Sequence, residues 1–379
     1  MRIDAISISV FELPNNTNRF NLVEKGTGAN RRWDRARHPS ARAHIHLLHV
    51  RTDEGIEGVC TVGDARYTTM RPEDLEQLRI LTIGEDPFDR ERLITKVQTA
   101  TRGMFTMYGW FGAFDNCLWD IAGKVAGLPV YALLGRTRSS APCYYNFGGP
   151  TKEAAAEDAI KAVNLGFPAV KDHFKQSANE NIAWFKASRE AVGLDIDLLH
   201  DAAGAPYTFA EALRVGRALD EYHYRWFEEP LSDRDQIQLQ KLCDALDVPI
   251  LAPETLMNDI ELSAVWLISG ATDALRANAR LGTTSLMKLA HLCELHRTTV
   301  ELNGPGGLFG LVHAHLVCAI PNTSYYEYFP NGSRDERGKE IGLTNPPVPL
   351  NGSITPPDTP GWGADWDWDY FKKKRIAEL

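Results

Sequence analysis

Residues 197–254 read DLLHDAAGAPYTFAEALRVGRALDEYHYRWFEEPLSDRDQIQLQKLCDALDVPILAPE. Three short apolar runs, DLLHDA (197–202), RWFEE (225–229) and PILAPE (249–254), each carry an acidic residue at or near the C-terminal end. The first two are joined by TFAEALRVGRALDEYH, whose Leu213, Val215 and Leu219 fall near helical spacing. The rhythm is strand, helix, strand, and it extends in both directions. Upstream lie APCYYNF (141–147) and AVKDHF (169–174); downstream lie ALRAN (274–278), TTVELN (298–303) and SYYEYF (324–329). Ser177 opens the helical stretch SANENIAWFKASREAV as an N-cap, and Pro249 and Gly270 punctuate helix ends. Eight strands at a period of about 25 to 30 residues predict an α/β fold, a parallel β/α barrel of the TIM type. A doubly wound open sheet would show the same alternation, but no Gly-rich phosphate turn follows the first strand, which favours closure.

Residues 1–125 read differently. The alternating stretches MRIDAISISVFEL and ARAHIHLLHVRTDEGIEGVC precede helices, of which FGAFDNCLWDIAGKVAG (111–127) is the clearest. That is an α+β module, expected as a cap over residues 1–125. The barrel is expected over 126–355, and the aromatic-rich segment 356–379 is expected to pack back onto the cap. Between the cap strands lies NTNRFNLVEKGTGANRRWDRARHPS (16–40), a polar stretch without a periodic face that reads as a functional or disordered loop.

The chain has 379 residues with a formal charge of −9, which disfavours a nucleic-acid partner. No apolar run approaches the ~20 residues of a membrane span, and the N-terminus lacks the apolar core of a signal peptide. The cysteines (Cys60, Cys117, Cys143, Cys243, Cys293, Cys318) show no CxxC spacing and read as free, mostly buried thiols. The expectation is a soluble cytoplasmic protein without membrane or nucleic-acid partners.

Functional groups of a parallel barrel gather at the C-terminal strand tips. In order these tips carry Lys171 and His173, Asp201, Glu228 and Glu229, Glu254, Asn278, Asn303 and Glu327. Asp201, Glu228 and Glu254 end three successive strands, close enough to converge. Three uncompensated anions there repel by several kcal/mol at low dielectric, so a divalent cation is a natural neutraliser. An all-carboxylate set suits a hard metal, with magnesium fitting and manganese as a substitute. The bland alternative makes these acids solvated loop caps, Lys171 a neutraliser of an acidic neighbour and His173 a packed histidine.

The motifs AFDNCLWDIAGKVAGLPVYALLG (113–135), LLHDAAG (198–204), RWFEEPL (225–231), PILAPE, TSYYEYF (323–329) and PGWGADWD (360–367) resemble, in order and spacing, the mandelate racemase-like group of the enolase superfamily. The resemblance covers essentially the whole chain. It implies a modified (β/α)7β barrel under an N-terminal α+β capping domain. It makes Asp201, Glu228 and Glu254 the Mg2+ ligands. It also implies removal of a proton α to a substrate carboxylate, through an enediolate that the metal stabilises.

The chain departs from that pattern in places that bear on the reaction. Lys-x-Lys on the second strand is Lys171-Asp172-His173, so His173 takes the place of the base and Lys171 orients the substrate carboxylate. The usual Asp–His dyad is replaced by Asn278 and Asn303, which can hydrogen-bond but cannot titrate. The third-strand motif is Asp201-Ala202-Ala203, and Glu327 holds the position of an acid that bonds the substrate carboxylate. With one base left, dehydration of a sugar acid to a 2-keto-3-deoxy acid is favoured. The alternatives are a racemase or epimerase, or a degenerate binder of metal or acid sugar.

Cap residues set the substrate. Arg19, Arg31, Arg32, Trp33, Arg35 and Arg37 crowd the long loop, either as a solvated basic stretch or as a lid presenting donors to a polyhydroxy acid. Of these Arg32, Trp33 and Arg35 are the substrate-binding candidates. Asp64 to Tyr67 form a second candidate loop. His200 is expected on the strand face opposite Asp201, and His313 and His315 are read as structural. Resemblance further implies a homo-oligomer, from dimer to octamer.

Overall fold

The computed structural model describes residues 1–13, 20–25, 32–37, 43–62, 70–102, 110–203, 207–304, 309–330 and 335–379. In the cap, β1 (Ile3–Leu13), β4 (Ala43–Thr52) and β5 (Glu57–Thr61) form an antiparallel sheet. Helices α1 (Pro72–Thr82), α2 (Arg90–Thr101) and α3 (Trp110–Ala126) follow it. Within the stretch expected as an irregular loop, β2 (Phe20–Lys25) and β3 (Arg32–Arg37) pair as a separate antiparallel ribbon. The ribbon corrects that expectation: β3 (RWDRAR) is heavily charged and β2 (FNLVEK) sets Leu22 and Val23 side by side, so neither six-residue strand shows a clean apolar alternation.

After the short α4 (Val130–Leu133) come β6 (Ala141–Asn146), α5 (Lys152–Asn164), β7 (Ala169–Asp172), α6 (Ala178–Val192), β8 (Asp197–Asp201) and α7 (Phe209–Glu221). The pattern continues through β9 (Tyr224–Glu228), α8 (Gln236–Cys243), β10 (Ile250–Ala252), α9 (Ile260–Ile268), β11 (Ala274–Ala277), α10 (Thr283–Leu295), β12 (Val300–Leu302), α11 (Phe309–Ala319) and β13 (Tyr326–Tyr328). The sheet runs β12-β11-β10-β9-β8-β7-β6-β13, all parallel, the (β/α)7β arrangement. Among the described residues no backbone ladder joins β12 to β13; side chains bridge that seam, as where Glu301 accepts from Ser324 N at 3.1 Å. Ser177 and Thr208 close full capping boxes with Glu180 and Glu211, so two of the barrel helices start where local chemistry dictates.

The C-terminal segment contributes β14 (Ser353–Ile354), antiparallel on β6, then α12 (Trp368–Lys374) and β15 (Arg375–Glu378), which pairs antiparallel with β1 of the cap. The cap also docks on the barrel through α3. Asp115 accepts from Thr284 N and Oγ1 at 2.9 and 2.7 Å, and Asn116 donates to Ala279 O at 2.9 Å. Gly112 is needed there, since a Cβ would sit 1.9 Å from Arg280 O. Among the described residues no disulfide joins the cysteines, and no helix is long and apolar enough to cross a membrane.

Candidate metal centre

Strand alternation builds the site from a floor upward. Tyr144, Ala169, Leu199, Trp226, Leu251, Ala274 and Tyr325 form one apolar layer inside the barrel. Two residues further along each strand, the side chain returns to the interior one pleat nearer the C-terminal tips. Those positions are Asn146, Lys171, Asp201, Glu228, Pro253, Arg276 and Glu327. A dry floor thus supports a layer of buried charge.

Glu254, which follows Pro253, joins this layer: one oxygen each of Asp201, Glu228 and Glu254 lies within 4.8 Å of the others. Lys171 Nζ, its side chain 1% exposed, stands 3.0 Å from Asp201, 2.7 Å from Glu228 and 3.2 Å from Glu327. Arg276, fully buried, holds Glu228 at 2.7 Å through Nε and Glu327 at 2.8 Å through Nη2, with Glu254 at 3.5 Å. Four carboxylates face two cations, so with every group ionised the cluster carries a charge of −2.

The electrostatics express that deficit. Burial lifts the Glu228 carboxyl well above its usual range, and Arg276 and Lys171 do not offset it. Burial would also raise Asp201, but Lys171 and His173 outweigh it and hold that carboxyl well below the usual range. Lys171 loses to burial and to Arg276, yet Asp201, Glu228 and Glu327 raise it well above the usual ammonium range. Glu229 is pushed up to about 9 by burial and then by Glu254 and Asp201. The cluster cannot sustain its negative charge without more positive charge, and its hard oxygen donors suit a divalent cation. The residues present therefore fit a divalent cation such as magnesium, which Asp201, Glu228 and Glu254 would hold.

His173 lies at the mouth, Nε2 3.1 Å from Asp201 Oδ2, with 31% of its side chain exposed. A nitrogen facing a carboxylate carries the proton, which leaves Nδ1 as the acceptor. Glu327 is taken up by Lys171, Asn146, Arg276 and Gly304 N. Gly304 must be glycine, since a Cβ would approach Glu327 Oε2 to 2.7 Å and Phe329 closer still. Ala203 and Glu229, just past the tips of β8 and β9, both adopt φ of 48°, a left-handed conformation that costs a non-glycine residue about 1–3 kcal/mol.

The structure thus brings together Lys171, His173, Asp201, Glu228, Glu254, Asn278, Asn303 and Glu327. Lys171 faces three carboxylates, with 1% of its side chain exposed. Arg32, Trp33, Arg35 and Arg37 fall on β3, but their side chains, and Arg19, Arg31 and Asp64 to Tyr67 entirely, lie outside the described residues. His200 faces away from the site, and His313 and His315 are buried with backbone partners. Sequence reasoning missed Arg276 and Asn146. Its signal was available in ALRAN, where a charge interrupts an apolar strand two residues before a tip.

A parallel (β/α)7β barrel with carboxylates on three successive tips, docked to an α+β cap, defines a class of metal-centre barrels. The chain belongs to the mandelate racemase/muconate lactonizing enzyme family of the enolase superfamily. Residues 25–135 match that family's N-terminal domain, and residues 154–370 match the family described as enolase C-terminal domain-like. It is similar to the D-mannonate dehydratase of Sphingomonas sp., at 30% identity over 85% of this chain and 89% of that enzyme. It is similar to the arabinonate dehydratase of Saccharolobus solfataricus, at 30% identity over 76% and 78%. The structure of D-glucarate dehydratase from Agrobacterium tumefaciens complexed with magnesium superposes with a TM-score of 0.82 at 27% identity, covering 100% of both chains.

Proposed function

We propose that the chain is a hydro-lyase that dehydrates a sugar acid to a 2-keto-3-deoxy acid. The observation carrying this reading is the cluster of Asp201, Glu228 and Glu254, whose oxygens lie within 4.8 Å of one another in a layer left two charges short. Magnesium bound there supplies electrostatic stabilisation of the charge that develops on a substrate carboxylate when the neighbouring C–H bond breaks. His173 takes the α-proton at Nδ1. As the imidazolium it returns that proton to the departing β-hydroxyl, which leaves as water, and the resulting enol rearranges to the ketone. Lys171 and Arg276 hold the carboxylates in place rather than moving protons, because both are sealed from solvent. Arg32, Trp33 and Arg35 of β3 are proposed as substrate-binding groups of the cap.

The dehydratase relatives support this choice over an isomerase. A second base facing His173 would be needed for epimerisation, and Asn278 and Asn303 cannot serve. A panel of sugar acids incubated with the protein and magnesium should yield 2-keto product from at least one member. Metal binding without any keto product across the panel would favour a binder. His173→Asn should stop exchange of the substrate α-proton with deuterated water, lowering the rate by about 10²–10⁴-fold with metal retained. Undiminished exchange would remove His173 from the role of base.

A further inference from the structure

The side-chain amides of Asn278 and Asn303, substrate-binding candidates by their place at the strand tips, hydrogen-bond to protein groups around the carboxylate trio. Asn303 Nδ2 donates to Glu254 Oε2 at 2.9 Å, across the width of the intervening strand β11. Its Oδ1 accepts from Asn278 Nδ2 at 3.2 Å and from Arg280 Nη2 at 3.3 Å. With donors on that side, the amide can present only its NH2 to Glu254. Asn278 Nδ2 also donates to Asn303 O at 3.2 Å, and Asn278 Oδ1 accepts from Arg280 N at 2.9 Å. The turn that carries Asn278 and Arg280 is itself fixed. Ala279 N donates to His313 Nε2 at 3.0 Å, Ala279 O accepts from Asn116 of the cap, and Thr283 N and Oγ1 both donate to Asn116 Oδ1.

Glu254 is the member of the carboxylate trio that most needs such a hold. Its side chain is 25% exposed, whereas those of Asp201 and Glu228 are 6% and 0% exposed. Its contact with Arg276 is the long one, at 3.5 Å. Asp201 and Glu228 are packed into place; Glu254 is free to swing outward unless something pins it.

We propose that Asn303 is a positioning residue that locks Glu254 in its metal-binding orientation, with Asn278 and Arg280 fixing the Asn303 amide. On this view Asn278 and Asn303 serve metal affinity rather than proton transfer. The proposal rests on the magnesium reading above. It also ties the cap to the metal, because the turn that orients Asn303 is held by Asn116 of α3.

The test is Mn2+ affinity, measured on the full chain by electron paramagnetic resonance and calorimetry. Loss of an outer-shell partner costs about 10–100-fold in metal affinity, and Asn303→Leu should weaken Mn2+ binding within that range. The magnesium concentration for half-activation should rise in parallel, with kcat at saturating magnesium largely kept. Should Asn303→Leu not fold, Asn303→Ser, whose hydroxyl stops short of Glu254, should show the same weakening. Glu301→Gln alters the same strand one pleat deeper, where Glu301 meets Ser324 N and no metal ligand, and should bind Mn2+ as wild type does. Unchanged affinity in Asn303→Leu or Asn303→Ser overturns the proposal, as does equal weakening in Glu301→Gln. Wild-type protein that binds no Mn2+ would sink the magnesium reading and this inference together, whereas metal binding without dehydration would leave the inference standing.

Discussion

Strands β7 and β8 carry buried acid–base contacts on both of their faces, one residue apart. Inward, Lys171 meets Asp201 at 3.0 Å; outward, His200 Nδ1 meets Asp172 Oδ1 at 2.6 Å. The outward pair is local, joined through one atom of each partner, while His200 Nε2 and Asp172 Oδ2 are buried without a hydrogen-bond partner. Asp172 Oδ1 also accepts from Phe174 N at 3.1 Å, and the His200 ring packs edge-on to Phe185 with centroids 4.6 Å apart. One acid answers one base, and apolar rings close over both. The inward pair belongs to a cluster of four carboxylates and two cations that remains two charges short. Buried charge of the first kind holds strands in register, whereas buried charge of the second kind asks for a ligand. Burial alone does not separate the two; the charge balance does.

The comparison breaks if the inward face can lose a charge without losing metal. Glu228→Gln should abolish detectable binding of Mn2+ at concentrations that saturate wild type. The loss should exceed the roughly 100-fold that marks the upper end for outer-shell partners, and metal analysis of the purified protein checks it. Retained metal would mean that the trio is an ordinary ion-pair network. The outward face should respond in the opposite way. His200→Leu leaves Asp172 buried and unpaired, which costs about 3–5 kcal/mol in urea unfolding, while the Mn2+ affinity of the folded fraction stays at the wild-type value. Weaker metal binding in His200→Leu would show that the two faces are not independent.

Much of this was legible in the sequence, and the reason is geometric. Most barrel strands are short, largely buried runs, each separated from the next by a helix-length stretch, so all eight stood out. The carboxylate trio was legible because a tip residue is simply the last residue of such a run. Two members of the charged layer were not read: Arg276 lies two residues before Asn278 in ALRAN, and Asn146 ends its strand one residue before the apolar Phe147. The Asn303–Glu254 hydrogen bond was out of reach altogether, since it joins residues 49 apart on strands that are not neighbours. The β2–β3 ribbon was missed because neither of its strands shows a clean apolar alternation to declare its period.

The smallest expected effect concerns His313, which resembles the outward pair in being closed by its own partner, Ala279 N. Burial, then Arg280 and Arg276, push its pKa down to about 3, against the opposing pull of Glu327. An unfolded histidine titrates near 6.5. Between those values the unfolded chain binds a proton that the folded chain refuses. This contribution is therefore complete above pH 6.5 and is lost as the pH falls toward 3, at about 1.4 kcal/mol per pH unit. Asp115 works in the other sense: burial raises it to about 6, so the folded chain gains stability as the pH drops from 6 toward 4. The two trends overlap, so the wild-type slope alone decides nothing. The difference between wild type and His313→Gln isolates the histidine, because the amide oxygen can still accept from Ala279 N and does not titrate. From pH 6.5 to 5 the variant should lose about 2 kcal/mol less than wild type in urea unfolding. Equal losses would mean that His313 accepts a proton in the folded protein, and that the turn carrying Asn278 and Arg280 is looser than its hydrogen bonds imply.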